Sequence, residues 1–121
     1  MIRVLLVDDH RLVRASLRSV LDGADGVEVA GEAASGEEAL AAVERLEPQL
    51  VLCDVRMPGL DGIELARQAR RRYPGLNVLL VTAYVQDALG ATDLDGTGIQ
   101  VLSKPFNLNE LIRRVETFLP Q

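Results

Sequence analysis

The sequence predicts an α/β domain, an open sheet of five strands with helices on both faces. Five short apolar runs recur along the chain: Ile2–Val7, Val27–Ala30, Leu50–Cys53, Val78–Val81 and Ile99–Leu102. Most are unbroken rather than alternating, the pattern of parallel strands buried on both sides. Stretches with helical spacing separate them, so strand and helix alternate along the chain.

The first helical stretch carries Leu12, Val13, Leu17, Val20 and Leu21. In the second, Ser35 followed by Glu38 forms a capping pair ahead of Ala39, Leu40, Val43 and Leu46. Asp61 and Glu64 open the third, which carries Leu65, Ala66 and Ala69 and stops before Pro74-Gly75. An acceptor side chain three residues ahead of Glu marks a helix start, because it takes up an orphan backbone N–H. Residues 86–98 hold Gly90, Thr92, Asp93, Asp95, Gly96 and Gly98, poor helix formers, so only two or three turns are expected there. The C-terminal helix is the clearest: Asn107 and Glu110 cap it, and Leu108, Leu111, Ile112, Val115, Phe118 and Leu119 mark its apolar face.

Length and composition narrow the function. The chain has 121 residues, 48% of them apolar, enough for one domain with its own core. Its net charge is −5, and its pI is about 4.8. That argues against direct nucleic-acid binding, which needs a basic face. The lone Cys53 allows no internal disulfide and points to a reducing, cytoplasmic setting. No apolar run approaches the roughly 18 residues of a membrane span. No signal-peptide pattern is expected at the N-terminus, where the apolar stretch meets Asp8 and Asp9 at once. The 13 basic residues are 12 arginines and one lysine, Lys104, and a lysine kept in an arginine-preferring chain invites a chemical reason.

Open α/β sheets bind ligands at the carboxyl ends of their strands. Here the first strand ends in Asp8-Asp9, the second in Gly31-Glu32, the third in Asp54 and the fourth in Thr82, and the fifth runs into Ser103-Lys104-Pro105. Three carboxylates at one rim repel one another unless a cation joins them, and oxygen ligands of this kind suit Mg2+. Thr82 offers a hydroxyl donor and Lys104 a compact charge to phosphoryl oxygens. Asp54 is then placed to act as a carboxylate nucleophile.

Each residue also has a plainer role to weigh. Asp9 could cap the first helix, Asp54 could belong to the turn before Pro58-Gly59, Thr82 could simply end a strand, and Lys104 could lie on the surface. A carboxylate ending an otherwise apolar strand is costly unless paired, which weighs against the plain reading of Asp54. Cys53 reads as a small buried hydrophobe and His10 as a residue at the rim of the first helix, with no acid-base partner suggested nearby. Arg70-Arg71-Arg72 reads as a solvated helix end favoured by the helix dipole.

Four segments carry a family resemblance: Val7-Asp8-Asp9-His10, residues 52–62 (LCDVRMPGLDG), residues 79–83 (LLVTA) and residues 102–106 (LSKPF). In their order and spacing they resemble the receiver domain of bacterial two-component response regulators, over residues 2 to about 119. The resemblance implies a flavodoxin-like sheet of order 2-1-3-4-5. It implies that Asp54 accepts a phosphoryl group from a sensor histidine kinase with Mg2+. Asp9 would be the direct metal ligand, Asp8 would act partly through water, and the Arg56 backbone carbonyl would complete the site. Lys104 would pair with the phosphoryl group, Thr82 would move toward it on activation, and Pro105 would follow a cis peptide bond. The segment Asp8-Asp9-His10-Arg11-Leu12-Val13-Arg14 resembles regulators with a C-terminal helix-turn-helix domain, so this chain would be a receiver domain at the N-terminal part of a longer regulator. The expected partner is that output domain or a second copy of the domain.

Two further expectations concern lifetime and output. Arg56 and Tyr84 sit two residues beyond Asp54 and Thr82, so their bulk should slow self-dephosphorylation. The family usually carries an aromatic residue three positions before the lysine, where this chain has Val101. Switching should therefore be read as ordering of residues 86–98 on the face they form with the fifth strand and the C-terminal helix. Three rivals remain. An FMN-binding module would need a phosphate-cradling loop where Asp8-Asp9 stands. An aspartyl-phosphate phosphohydrolase would place its nucleophile after the first strand, with a second Asp two residues on. A receiver-like domain that takes no phosphate would not need the full acidic set.

Overall fold

We describe a computed structural model of the chain over residues 1–82, 99–103 and 107–118. The strands are β1 (Ile2–Val7), β2 (Val27–Ala33), β3 (Leu50–Asp54), β4 (Asn77–Thr82) and β5 (Ile99–Ser103). All neighbouring strands pair in parallel, in the order β2-β1-β3-β4-β5. The described helices are α1 (Arg11–Asp22), α2 (Gly36–Leu46), α3 (Gly62–Arg72) and α4 (Leu108–Glu116). The helix expected within 86–98 falls outside the described residues.

Side chains alternate along each strand, which divides the core into two layers. Leu5, Val7, Val51, Cys53, Val78 and Leu80 pack against Ala39, Ala42 and Val43 of α2 and Leu65, Ala66 and Ala69 of α3. On the other face Val4, Leu6, Leu52, Leu79, Val81 and Leu102 meet Leu21 of α1 and Leu111 and Val115 of α4. The unbroken apolar runs are thus the signature of strands covered on both sides.

The capping residues read from sequence act as such. Ser35 Oγ accepts from Glu38 N at 3.1 Å, Asp61 Oδ1 from Glu64 N at 2.9 Å and Asn107 Oδ1 from Glu110 N at 2.8 Å. Helix α1 differs. Its N-cap is His10, which makes no side-chain capping bond, so Asp9 is not the cap. Nor is its apolar stripe the expected one. Only Leu21 is fully buried, whereas Leu12 is 81% exposed. The inward position of the first turn goes instead to Arg14, whose side chain is 15% exposed. Leu12, two residues earlier, points about 200° away around the helix.

Strand β2 runs three residues beyond its apolar run, so Gly31-Glu32 lies within the strand and not past its end. Between Val4 and Leu5 its register against β1 shifts: Val4 pairs with Val29, but Leu5 pairs with Gly31 and Leu6 with Glu32. One extra residue in a strand sends every later side chain to the opposite face. Glu32 is thereby turned toward α1. An unshifted register would place it opposite Val7, on the α2 and α3 side.

Candidate functional site

The carboxyl ends of β1 and β3 lie side by side, with Val7 paired to Cys53. Chain direction alone therefore brings Asp8 and Asp54 to one rim. Carboxylate oxygens of Asp8, Asp9 and Asp54 and a ring nitrogen of His10 all lie within 4.8 Å of one another. Asp8 is almost wholly buried, at 4% exposure. Its backbone N–H donates to Ala33 O at 3.1 Å, and its Oδ1 accepts from His10 N at 2.8 Å. Asp54 is half-buried, and its Oδ1 accepts from Arg56 N at 3.3 Å.

His10 is closer to this site than the sequence suggested. Its Nδ1 lies 3.1 Å from both Asp8 Oδ1 and Asp9 Oδ1. One ring N–H cannot serve both. Asp9 Oδ1 is buried and accepts no hydrogen bond from the described residues. A buried carboxylate oxygen left in this condition among like charges is expensive, and a hard divalent cation relieves it. The donor set, three carboxylates at one rim, fits Mg2+ on that ground. The sequence puts His10 at the rim of the first helix but carries no signal for its contact with the two carboxylates, because sequence position gives no direction for a ring at a helix start.

Thr82 ends β4, 1% exposed, next in the chain to Val81, which pairs with Asp54. Arg56 is exposed on the loop after β3, where it lines an open cavity of about 510 Å³ with Val55, Met57, Pro58, Asp61 and Ile63. Val101 pairs with Leu80 and packs against the layer under α2 and α3. Tyr84, Lys104 and Pro105 lie outside the described residues, as does segment 86–98.

Local packing fixes where Asp54 stands. A Cβ on Gly62 would lie 2.4 Å from Asp54 O and 2.9 Å from Val55 Cα, so only glycine lets α3 start this close to the strand end. Gly62 N donates to Val55 O at 2.9 Å, and Val55 N to Val81 O at 3.0 Å. Cys53 is buried beneath the site. Burial pushes its thiol well above the usual range, with the Asp54, Asp8 and Asp61 charges adding to the effect, so it is a packing residue and not a nucleophile. Arg71 and Arg72 are exposed as expected, but Arg70 is half-buried and donates to the carbonyls of Pro74 and Leu76 in the loop beyond α3.

Residues 4–116 match the response regulator receiver domain family. Over 115 residues the chain is 41% identical to the response regulator GacA of Pseudomonas protegens, covering 95% of this chain and 54% of that protein. It therefore spans about half the length of the curated relatives it matches. A CheY-like receiver domain from Methanospirillum hungatei superposes with a TM-score of 0.85 at 29% identity, covering 98% of this chain and 94% of that one. A LuxR-family two-component response regulator from Aurantimonas gives 0.85 at 29% identity, covering 98% and 85%. The acidic rim, the sheet order and these matches agree: the chain belongs to the response regulator receiver domain family, whose members are phosphoacceptor signalling domains.

Proposed function

We propose that this domain takes a phosphoryl group from the phosphohistidine of a sensor histidine kinase onto Asp54. The observation that carries this reading is the convergence of Asp8, Asp9 and Asp54 within 4.8 Å at the carboxyl rim of the sheet. An Asp54 carboxylate oxygen attacks phosphorus, the N–P bond of the donor breaks, and the donor nitrogen keeps the electron pair. Asp9 and Asp54, with Asp8 behind them and the Arg56 carbonyl, would hold Mg2+, which neutralises charge on the transferring group. Thr82 and Lys104 bind phosphoryl oxygens. Arg56 and Tyr84 flank the product and slow its hydrolysis.

The domain thus acts as a signalling phosphoacceptor in the cytoplasm, and its only reaction is turnover of its own phosphoryl group. As the receiver part of a longer transcription regulator, it would pass the signal through residues 86–98, β5 and α4 to a DNA-binding output domain or a second copy. The half-length match to GacA supports the longer regulator. Val101, where the family usually has an aromatic ring, makes ordering of 86–98 the readout instead of a ring rotation.

The test is mass spectrometry after incubation with acetyl phosphate and Mg2+. One phosphoryl group is expected on the parent, and none on Asp54→Asn or after chelation. Label that persists on Asp54→Asn rejects Asp54 as the acceptor.

A further inference from the structure

Arg14 occupies a position that local rules disfavour. It lies in the first turn of α1, where the helix dipole opposes a cation, and its side chain is 85% buried by the 15% exposure already noted. Two contacts compensate, and a third braces the partner. Arg14 Nη1 donates to the backbone carbonyl of Asp8 at 2.6 Å, and Nε donates to Glu32 Oε1 at 3.1 Å. The other oxygen of Glu32 accepts from Arg18 Nη1 at 2.6 Å. The Arg18 hydrogen bond is the main reason the Glu32 carboxyl titrates below its ordinary value, with the Arg14 hydrogen bond helping and burial opposing.

The Asp8 carbonyl belongs to the planar peptide that joins Asp8 to Asp9. Holding that oxygen fixes the peptide plane, and the plane sets the direction in which Asp9 leaves the chain. Asp8 N–H is meanwhile held by Ala33 O at 3.1 Å. We infer that Arg14 is a positioning residue for the Asp8-Asp9 pair, braced by Glu32, and that it sets the affinity of the rim for a divalent cation. The inference rests on the proposal that these carboxylates hold Mg2+. The register shift in β2 is part of the device, because it turns Glu32 toward α1. So is the Arg residue type: the planar fork reaches a carbonyl and a carboxylate at once, which an ammonium cannot do in that geometry.

The sign of the effect separates this role from simple electrostatics. Arg14 is a positive charge behind an acidic site, so removing the charge alone would tighten cation binding. Loss of positioning would weaken it, as loss of groups that brace metal ligands typically does by roughly 10- to 100-fold. The experiment is calorimetric titration of the folded parent, Arg14→Met, Arg14→Lys, Glu32→Gln and Asp9→Ala with Mg2+, beside melting temperatures in chelator. The expected result is a Kd raised about tenfold or more in Arg14→Met, with a smaller rise in Arg14→Lys and in Glu32→Gln and no binding in Asp9→Ala. Parent-like or tighter binding by folded Arg14→Met overturns the role of Arg14 while leaving the cation site standing. If Arg14→Met does not fold, unchanged affinity in Glu32→Gln overturns it instead. A parent that binds no Mg2+ overturns the site reading and this inference together.

Discussion

Two corners of the sheet rim supply the carboxylates, and they are built in different ways. At the β1-to-α1 corner, Asp8 is buried, its carbonyl is held by the Arg14 side chain reaching back from α1, and Glu32 of β2 braces Arg14. Helix α1 itself has no side-chain cap. At the β3-to-α3 corner, Asp54 is more open, and its position follows from the backbone. Gly59 adopts φ 76°, Gly62 lets α3 pack against the strand end, and Asp61 caps the helix. The first corner is held by charge and the second by steric fit and capping. Perturbations that leave one nearly untouched should therefore disable the other.

The largest effect should come from adding one methyl group at the second corner. Gly62→Ala would force a carbon to within 2.4 Å of Asp54 O, against backbone that cannot swing aside. Overpacking of this kind typically costs about 1–3 kcal/mol and occasionally more. Thermal denaturation should show a clear fall in Tm, and phosphorylation by acetyl phosphate should fall too, because Asp54 is carried by the same backbone. A parent-like Tm and labelling rate would mean that α3 can slide away from β3, and the contrast between the corners would collapse.

A smaller loss should follow at the same corner from Asp61→Ala. It removes the acceptor for Glu64 N, and caps of this type are worth about 1 kcal/mol. The matching change at the first corner, His10→Ala, removes no capping bond and should cost α1 much less. Urea denaturation of the two variants side by side checks this. Equal losses would show that the His10 ring supports the start of α1 in solution as strongly as the Asp61 cap supports α3.

The smallest effect should be a pH dependence confined to the first corner. The Glu32 carboxyl titrates below its ordinary value of 4.5 in the folded chain. A depressed carboxylate contributes stability that is present above the unfolded value and is lost as pH falls through the folded one. Stability of the parent should thus fall more steeply below pH 4.5 than that of Glu32→Gln. The difference is modest because Glu32 is partly exposed and screened by solvent. Denaturation midpoints followed from pH 6 down to pH 3 provide the measurement. Parallel curves would show that the Arg14, Arg18 and Glu32 cluster is not held in solution.

The sequence by itself determined the number of strands and their alternation with helices along the chain, because unbroken apolar runs and helical spacing are local signals set by burial on two faces, while the sheet order came from the family resemblance. It also determined three of the helix starts, since Ser35, Asp61 and Asn107 act on N–H groups only three residues away. It placed Asp8, Asp9, Asp54 and Thr82 at strand ends, and parallel pairing made those ends neighbours. Only the tertiary structure decided the α1 corner. The apolar stripe of α1 yields its inward first-turn position to Arg14, and that reversal depends on Glu32, 18 residues away in the chain. Glu32 faces Arg14 because β2 slips by one residue against β1. A register shift belongs to the pairing of two strands and has no local signature in either. The same holds for the His10 ring and for the closeness of Gly62 to Asp54, both of which arise from packing between elements and not from the propensity of any one of them.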